Sequence, residues 1–222
     1  METMPFGALT VRFDARVLRP RPWTLAQSTW AAELSRSGPP GPVLELCAGV
    51  GHIGLALAAE SDRDLVLVDA DRHACEHARW NVEEAGLTAR VTVRHGPMQE
   101  MLAPTERFAM VLADPPWVAS AEVSRFPADP RRAIDGGPDG LDLARLCVSL
   151  IAGHLVDGGA SVLQLGDVKQ AEQMRRHLWA HPELDLRVVE VRTVPDGPGV
   201  LVHLARPCPT DRTHGRHGHP PP

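Results

Sequence analysis

Val43-Leu44-Glu45-Leu46-Cys47-Ala48-Gly49-Val50-Gly51-His52-Ile53-Gly54 is the stretch that decides how the chain reads. An apolar run, broken only by Glu45, passes into a glycine cluster of the pattern GxGxxG and then into helix-forming sequence. A strand buried on both faces has such a continuous apolar run. Gly49 and Gly51 lack Cβ, so the backbone can turn sharply there and a ligand can approach it closely. The helix that follows offers N–H groups with no partner inside the helix. GxGxxG alone is a weak signal. Here it has the strand–turn–helix context, and Asp69 closes the next apolar run, LVLVD (65–69), 18 residues after Gly51. A carboxylate in that place can accept from two ribose hydroxyls. The alternative for the same residues is a tight turn, with the acid capping the next helix.

Outward from this turn the chain alternates. RVTVRH (90–95), FAMVLA (108–113) and ASVLQLG (160–166) read as further strands, and helical patterns fill 72–85, 141–155 and 168–180. Asp71 is the N-cap and Gly86 the stop of the first of these helices. Apolar strands separated by helices predict an α/β fold, a doubly wound, mostly parallel sheet. LRVVEVR (186–192) and GVLVHLAR (199–206) read as a closing antiparallel pair. Upstream, LTVRF and RVL within 9–20 predict a hairpin around Asp14-Ala15. Thr24 and Gln27 have capping-box spacing, and Trp23, Gln27, Trp30, Ala31 and Leu34 share a helical stripe that ends before Gly38-Pro39-Pro40. The Pro- and His-rich segment 207–222 has no apolar face and reads as a disordered tail.

Composition narrows the classes. In 222 residues, 43% are hydrophobic and 23% charged, enough for a packed core. A net charge of −5 counts against affinity drawn from a broad phosphate-binding face. No apolar run is long enough to span a membrane, and the N-terminus lacks a signal-peptide core. Cys47, Cys75, Cys147 and Cys208 are far apart with no CxxC spacing. A reduced, cytoplasmic protein without a zinc knuckle is expected. His73 and His77, four apart on one helix, read as solvated helix residues, and no metal site is expected. Arg125, Arg131 and Arg132 serve either a phosphate or acidic acceptor, or plain solubility.

Two features carry the chemistry. Glu45 lies inside the first strand, where a second negative charge would oppose a pyrophosphate. It suits the cationic end of S-adenosylmethionine, and so favours that methyl donor over NAD. The second feature is Ala113-Asp114-Pro115-Pro116-Trp117 at the end of the fourth strand. Two prolines stop a central strand and expose a carbonyl at its carboxyl edge, where open α/β sheets bind ligands. Asp114 and the Pro115 carbonyl are acceptors, and Trp117 offers a flat face. Together they can clamp an –NH2 group and aim its nitrogen at a methyl group. A structural proline turn with an Asp cap is the plainer alternative.

VLELCAGVGHIGLALA, LVLVDADRHACEHARWN, VLADPPWVAS and DPRRAIDGGPDGLDLARL, in this order, resemble the HemK-like, release-factor-glutamine type of class I S-adenosylmethionine-dependent methyltransferase. The resemblance covers about residues 20–180 and includes Asn81. It implies a Rossmann-like, seven-stranded sheet and S-adenosyl-L-methionine as cofactor. Asp114, Pro115, Pro116 and Trp117 would hold the acceptor nitrogen. Gly49 and Gly51 would lie under the methionine portion and Asp69 would bind ribose, with Glu45, Cys47, Ala48, Ala70, Met98 and Asp114 completing the cofactor set. Three departures stand out. Asp114 replaces an Asn, which puts glutamine as acceptor in doubt because an ionised Asp cannot donate to a carbonyl. The family's helical N-terminal domain is expected to be absent, since only some 20 residues precede the Arg21-Pro22 element, and Trp23 and Leu25 replace acids. Gly96-Pro97 stands where an acid contacts the cofactor adenine, leaving Met98 an apolar contact. The expected organisation is an N-terminal extension (1–40), a methyltransferase domain (41–206) and the tail. The expected acceptor is a protein side-chain amide or a small molecule. A nucleobase of RNA or DNA, methylated at adenine N6, is the alternative, and a non-catalytic S-adenosylmethionine-binding protein is the third reading. Oligomeric state is not legible.

Overall fold

The structure is a computed structural model that describes residues 1–194 and 197–208. Strands β1 (Glu2–Phe6) and β2 (Leu9–Phe13) form an antiparallel hairpin, followed by α1 (Leu25–Ser37). Then come β3 (Val43–Leu46), α2 (His52–Ala59), β4 (Leu65–Asp69), α3 (Arg72–Glu84), β5 (Val91–His95) and β6 (Phe108–Ala113). The short α4 (Arg131–Ile134), α5 (Asp142–His154), β7 (Leu155–Leu165), α6 (Val168–Ala180), β8 (Arg187–Thr193) and β9 (Val200–Ala205) complete the chain of elements.

Seven strands form one sheet in the order β5-β4-β3-β6-β7-β9-β8. The first five are parallel, and β9 runs antiparallel to both β7 and β8. Every residue of β3 and β6 is buried, as expected for central strands covered on both faces. Side chains alternate between two cores. Val43, Leu67, Met110 and Leu112 join α1, α2 and α3 on one face. Leu44, Leu46, Val111 and Leu163 join α5 and α6 on the other. From β3 the chain winds outward through β4 and β5, then returns to place β6 on the opposite side of β3. The switch point therefore lies between the carboxyl ends of β3 and β6, where the sheet leaves a crevice.

Several local expectations change. LTVRF is indeed a strand, but its partner is residues 2–6, with Glu2 opposite Phe13. RVL is not a strand, because the Asp14 side chain accepts from the Arg16 N–H at 3.0 Å and folds the chain into a turn. His77 is buried rather than solvated, with Nε2 3.2 Å from Asp14 Oδ2. The capping box does not form. Thr24 Oγ1 donates to the Arg21 carbonyl. Gln27 turns inward, and its Nε2 donates to the Ala113 and Val162 carbonyls at 3.0 and 2.8 Å. Asp71 does cap α3, accepting from the His73 N–H at 2.8 Å. Of the segment read as a tail, residues 209–222 lie outside the described residues, as do 195–196. Among the described residues, no helix is long and apolar enough to cross a membrane.

Gln27 anchors α1 to the strand end that carries Asp114. Gln27→Leu keeps the volume and strands two buried carbonyls, so unfolding in denaturant is expected to show a loss of about 2 kcal/mol. A change below about 0.5 kcal/mol would show that water takes over both carbonyls.

Candidate active site

The chain leaves β3 with Cys47 at φ 56°, then passes Gly49 and Gly51 at φ 54° and 80°. This left-handed path is why glycine occupies both positions. Asp69 holds the turn in place: its Oδ2 accepts from the Gly49 N–H at 2.7 Å, and its Oδ1 from the Asp71 N–H at 2.7 Å. A Cβ at Gly49 would meet open space, whereas one at Gly51 would sit 2.8 Å from Leu67.

Beside this turn lies a cavity of about 360 Å³. Cys47, Ala48, Gly49, Asp69, Ala70, Met98 and Asp114 are on its wall. Two residues assigned to the cofactor from sequence are not. Gly51 is tucked against Leu67. Glu45 points beneath α2, fully buried, with Oε2 accepting from the Gly54 N–H at 2.9 Å. Burial pushes its carboxyl well above the usual range. Glu45 is thus a support for the first turn of α2 rather than a counter-charge for a ligand, and its place in the strand does not distinguish S-adenosylmethionine from NAD.

Burial also raises Asp69 and pushes Asp114 up to about 7. It lowers His52 to about 4, so its ring is neutral at pH 7. His52 Nδ1 is buried on the cavity wall without a partner. Three arginines reach the same wall, and each is already paired: Arg19 with Glu2 at 2.8 Å, Arg21 with Asp129 at 2.7 Å, and Arg132 with Asp71.

Ala113 pairs with Leu46 at the end of β6, which puts Asp114 next to Cys47 at the switch point. The segment 135–140 folds under the prolines. The Gly136 N–H donates to the Val118 carbonyl at 2.9 Å, and Gln170 Nε2 donates to the Trp117 carbonyl at 2.9 Å. A second cavity of about 330 Å³ opens here, with Pro115, Trp117, Trp23, Phe126 and Gln164 on its wall. Asp114 and Pro116 belong to both cavities, and the Arg21–Asp129 pair borders the second. The loop arginines are paired as well, Arg125 with Glu122 at 3.3 Å and Arg131 with Asp135 at 2.9 Å.

Two amides named from the sequence, Gln27 and Asn81, brace this arrangement in a way that sequence reasoning did not foresee. Asn81 accepts from the Arg12 N–H at 2.8 Å and donates to the Val50 carbonyl at 2.9 Å, tying the hairpin to the glycine turn. The available signal was a polar residue inside an apolar stripe, as with Gln27.

The first cavity suits a nucleoside bearing a sulfonium side chain. It has a carboxylate at the end of the second sheet strand in sequence, apolar walls from Ile53, Val68 and Met98, and an unpartnered ring nitrogen. Comparisons with known proteins agree. The methyltransferase small domain family matches residues 29–129. A release factor glutamine methyltransferase of Rhodopirellula baltica is 31% identical over 170 residues, covering 72% of this chain and 57% of that protein. A ribosomal protein uL3 glutamine methyltransferase of Burkholderia pseudomallei is 31% identical over 138 residues, covering 57% and 45%. The chain thus spans about half the length of these curated relatives. Among solved structures, the human METTL16 catalytic domain with an RNA hairpin superposes with a TM-score of 0.70 at 17% identity, covering 90% of this chain and 74% of that one. The METTL16 N-terminal domain in complex with SAH gives 0.64 at 15% identity, covering 89% and 75%. The fold, the glycine turn and these relatives together place the chain in the class I S-adenosylmethionine-dependent methyltransferases, in the HemK-like branch of the glutamine methyltransferases.

Proposed function

We propose that this chain transfers a methyl group from S-adenosyl-L-methionine, held beside the glycine turn, to a side-chain carboxamide nitrogen of a protein acceptor. The observation that carries this reading is the shared wall: Asp114 and Pro116 line both the donor cavity and the second cavity. The donor supplies an electrophilic methyl on sulfur; the acceptor nitrogen takes it in one displacement, a thioether leaves, and the nitrogen sheds a proton. The residues of the chain do the rest. Asp69 holds the glycine turn and keeps lone pairs for ribose hydroxyls. Asp114 and the Pro115 carbonyl accept from the –NH2 group and so fix the nitrogen's orientation. Asp114, with its pKa near 7, takes the departing proton at neutral pH. Trp117 packs against the planar acceptor.

A peptide acceptor is favoured over a nucleic acid by charge. Arg19, Arg21, Arg125, Arg131 and Arg132 around the cavities each have a carboxylate partner, so a phosphate backbone would have to break ion pairs to bind. The second reading, methylation of adenine N6, is favoured by the carboxylate at 114 and the aromatic faces of Trp23, Trp117 and Phe126. Transfer of labelled methyl groups into a lysate, followed by separation of protein, RNA and small molecules, tests the two. Label in protein, removed as methylglutamine on digestion, is expected. Label in RNA, with activity falling steeply as salt rises, would replace the first reading by the second.

A further inference from the structure

We infer that Gln164 is a specificity-determining residue, whose side-chain amide pairs with the acceptor's carboxamide and selects it over other planar nitrogens. The inference rests on the function proposed above.

A primary carboxamide brings two N–H donors and one carbonyl acceptor. Ionised Asp114 and the Pro115 carbonyl only accept, so they leave the acceptor's carbonyl oxygen without a donor. That oxygen would lie among Trp23, Ile134 and Pro198, where an unmet hydrogen bond is costly. Gln164 lies on the wall of the same cavity and is 1% exposed. Its Oε1 is buried without a partner. Its Nε2 donates to no described residue. A buried amide oxygen left unused is rare, because it forfeits hydrogen bonds that water would supply.

Its position matches that need. Ala113 of β6 is in register with Leu163 of β7, so Asp114, just past the end of β6, and Gln164, next to last in β7, lie at the same level on neighbouring strands. Room for the amide comes from Gly199, where a Cβ would sit 2.7 Å from Gln164 Nε2. The two ends of the Gln164 amide complement the two ends of an acceptor carboxamide. Nε2–H donates to the acceptor's carbonyl oxygen, and Oε1 accepts the N–H on the same side. The other N–H remains for Asp114 and Pro115. The nitrogen's lone pair then stands perpendicular to this plane.

The effect belongs to binding. A donor on the carbonyl oxygen draws the nitrogen lone pair into the amide, so it does nothing for the attack itself. Its loss therefore shows in KM rather than kcat.

The test uses wild type, Gln164→Leu and Gln164→Glu with S-adenosylmethionine and a glutamine-containing peptide, alongside oligoadenylate. Leu removes both ends of the pair, and Glu keeps the size but loses the donor. Both variants are expected to raise KM for the peptide about tenfold. Their kcat should stay within about threefold, with S-adenosylmethionine affinity unchanged and no loss of Tm. An unchanged KM in Gln164→Leu overturns the inference, and so does a joint loss of kcat, donor affinity and Tm, which marks a structural role. Wild type that methylates oligoadenylate but not the peptide overturns it and leaves methyl transfer standing. Wild type that methylates neither overturns both.

Discussion

Replacing Asp114 by alanine is expected to lower kcat by about 10²–10³-fold while S-adenosylmethionine still binds. Asp114 is the one ionisable side chain shared by the two cavities, apart from Arg21, whose charge is spent on Asp129. Without its carboxylate, the acceptor nitrogen loses an N–H partner and the proton loses its nearest sink. Donor binding draws on Asp69 and the glycine turn, which the substitution does not touch. Calorimetry with the donor and single-turnover kinetics separate the two effects. Equal losses in binding and turnover would mean that Asp114 serves the donor cavity alone.

The same residue links activity to stability. Its carboxyl titrates near 7 in the fold, against an ordinary value of 3.8. Activity that needs the ionised form should rise with pH through about 7, and Asp114→Asn should flatten that limb. The sign for stability is opposite. Between pH 4 and 7 the folded state keeps a proton that the unfolded chain has lost, so stability falls as pH rises through this window. The loss is at most about 4 kcal/mol. Asp114→Asn removes it, so the variant's Tm should exceed that of wild type at pH 8 and match it at pH 4. Equal Tm differences at both pH values would contradict the cause, which is burial.

Gly140→Ala is the second substitution with a large expected effect. Gly140 has φ 76°, and a Cβ there would lie 2.3 Å from the Trp117 carbonyl oxygen and 2.5 Å from Gln170 Nε2. Backbone strain and the forced displacement of Trp117 together amount to about 3–4 kcal/mol. Gly153 supplies the contrast. It lies in α5 with nothing within 4 Å of its Cβ position. Ala there should be neutral or stabilising, by up to about 1 kcal/mol. Thermal unfolding of both variants gives the comparison, and a mild effect at 140 would show that the 135–140 segment yields easily.

The central strands and most helices were legible because burial on two faces leaves an unambiguous apolar run, as in FAMVLA, and because Asp71 caps by a local rule. The glycine turn and DPPW were legible because few residue types tolerate those backbones. What sequence could not supply was the direction of side chains on a doubly buried strand. Glu45 and Gly51 sit in the right segment, yet one faces α2 and the other Leu67. Gln27 fits a capping pattern, but the Ala113 and Val162 carbonyls drew it inward. The hairpin was misjudged at its turn because Asp14 folds the chain locally instead of reversing it. Gln164 carried no signal, since its meaning comes only from the register between β6 and β7.

The placement of donor and acceptor on either side of Asp114 is tested most directly by a crystal structure with S-adenosylhomocysteine. The sulfur is expected to lie over the glycine turn and face Asp114. That position leaves room for a methyl group and a nitrogen to approach within about 3–3.5 Å at the Pro115 carbonyl. A sulfur directed away from Asp114, or a ligand bound outside the cavity between Gly49 and Met98, would contradict it.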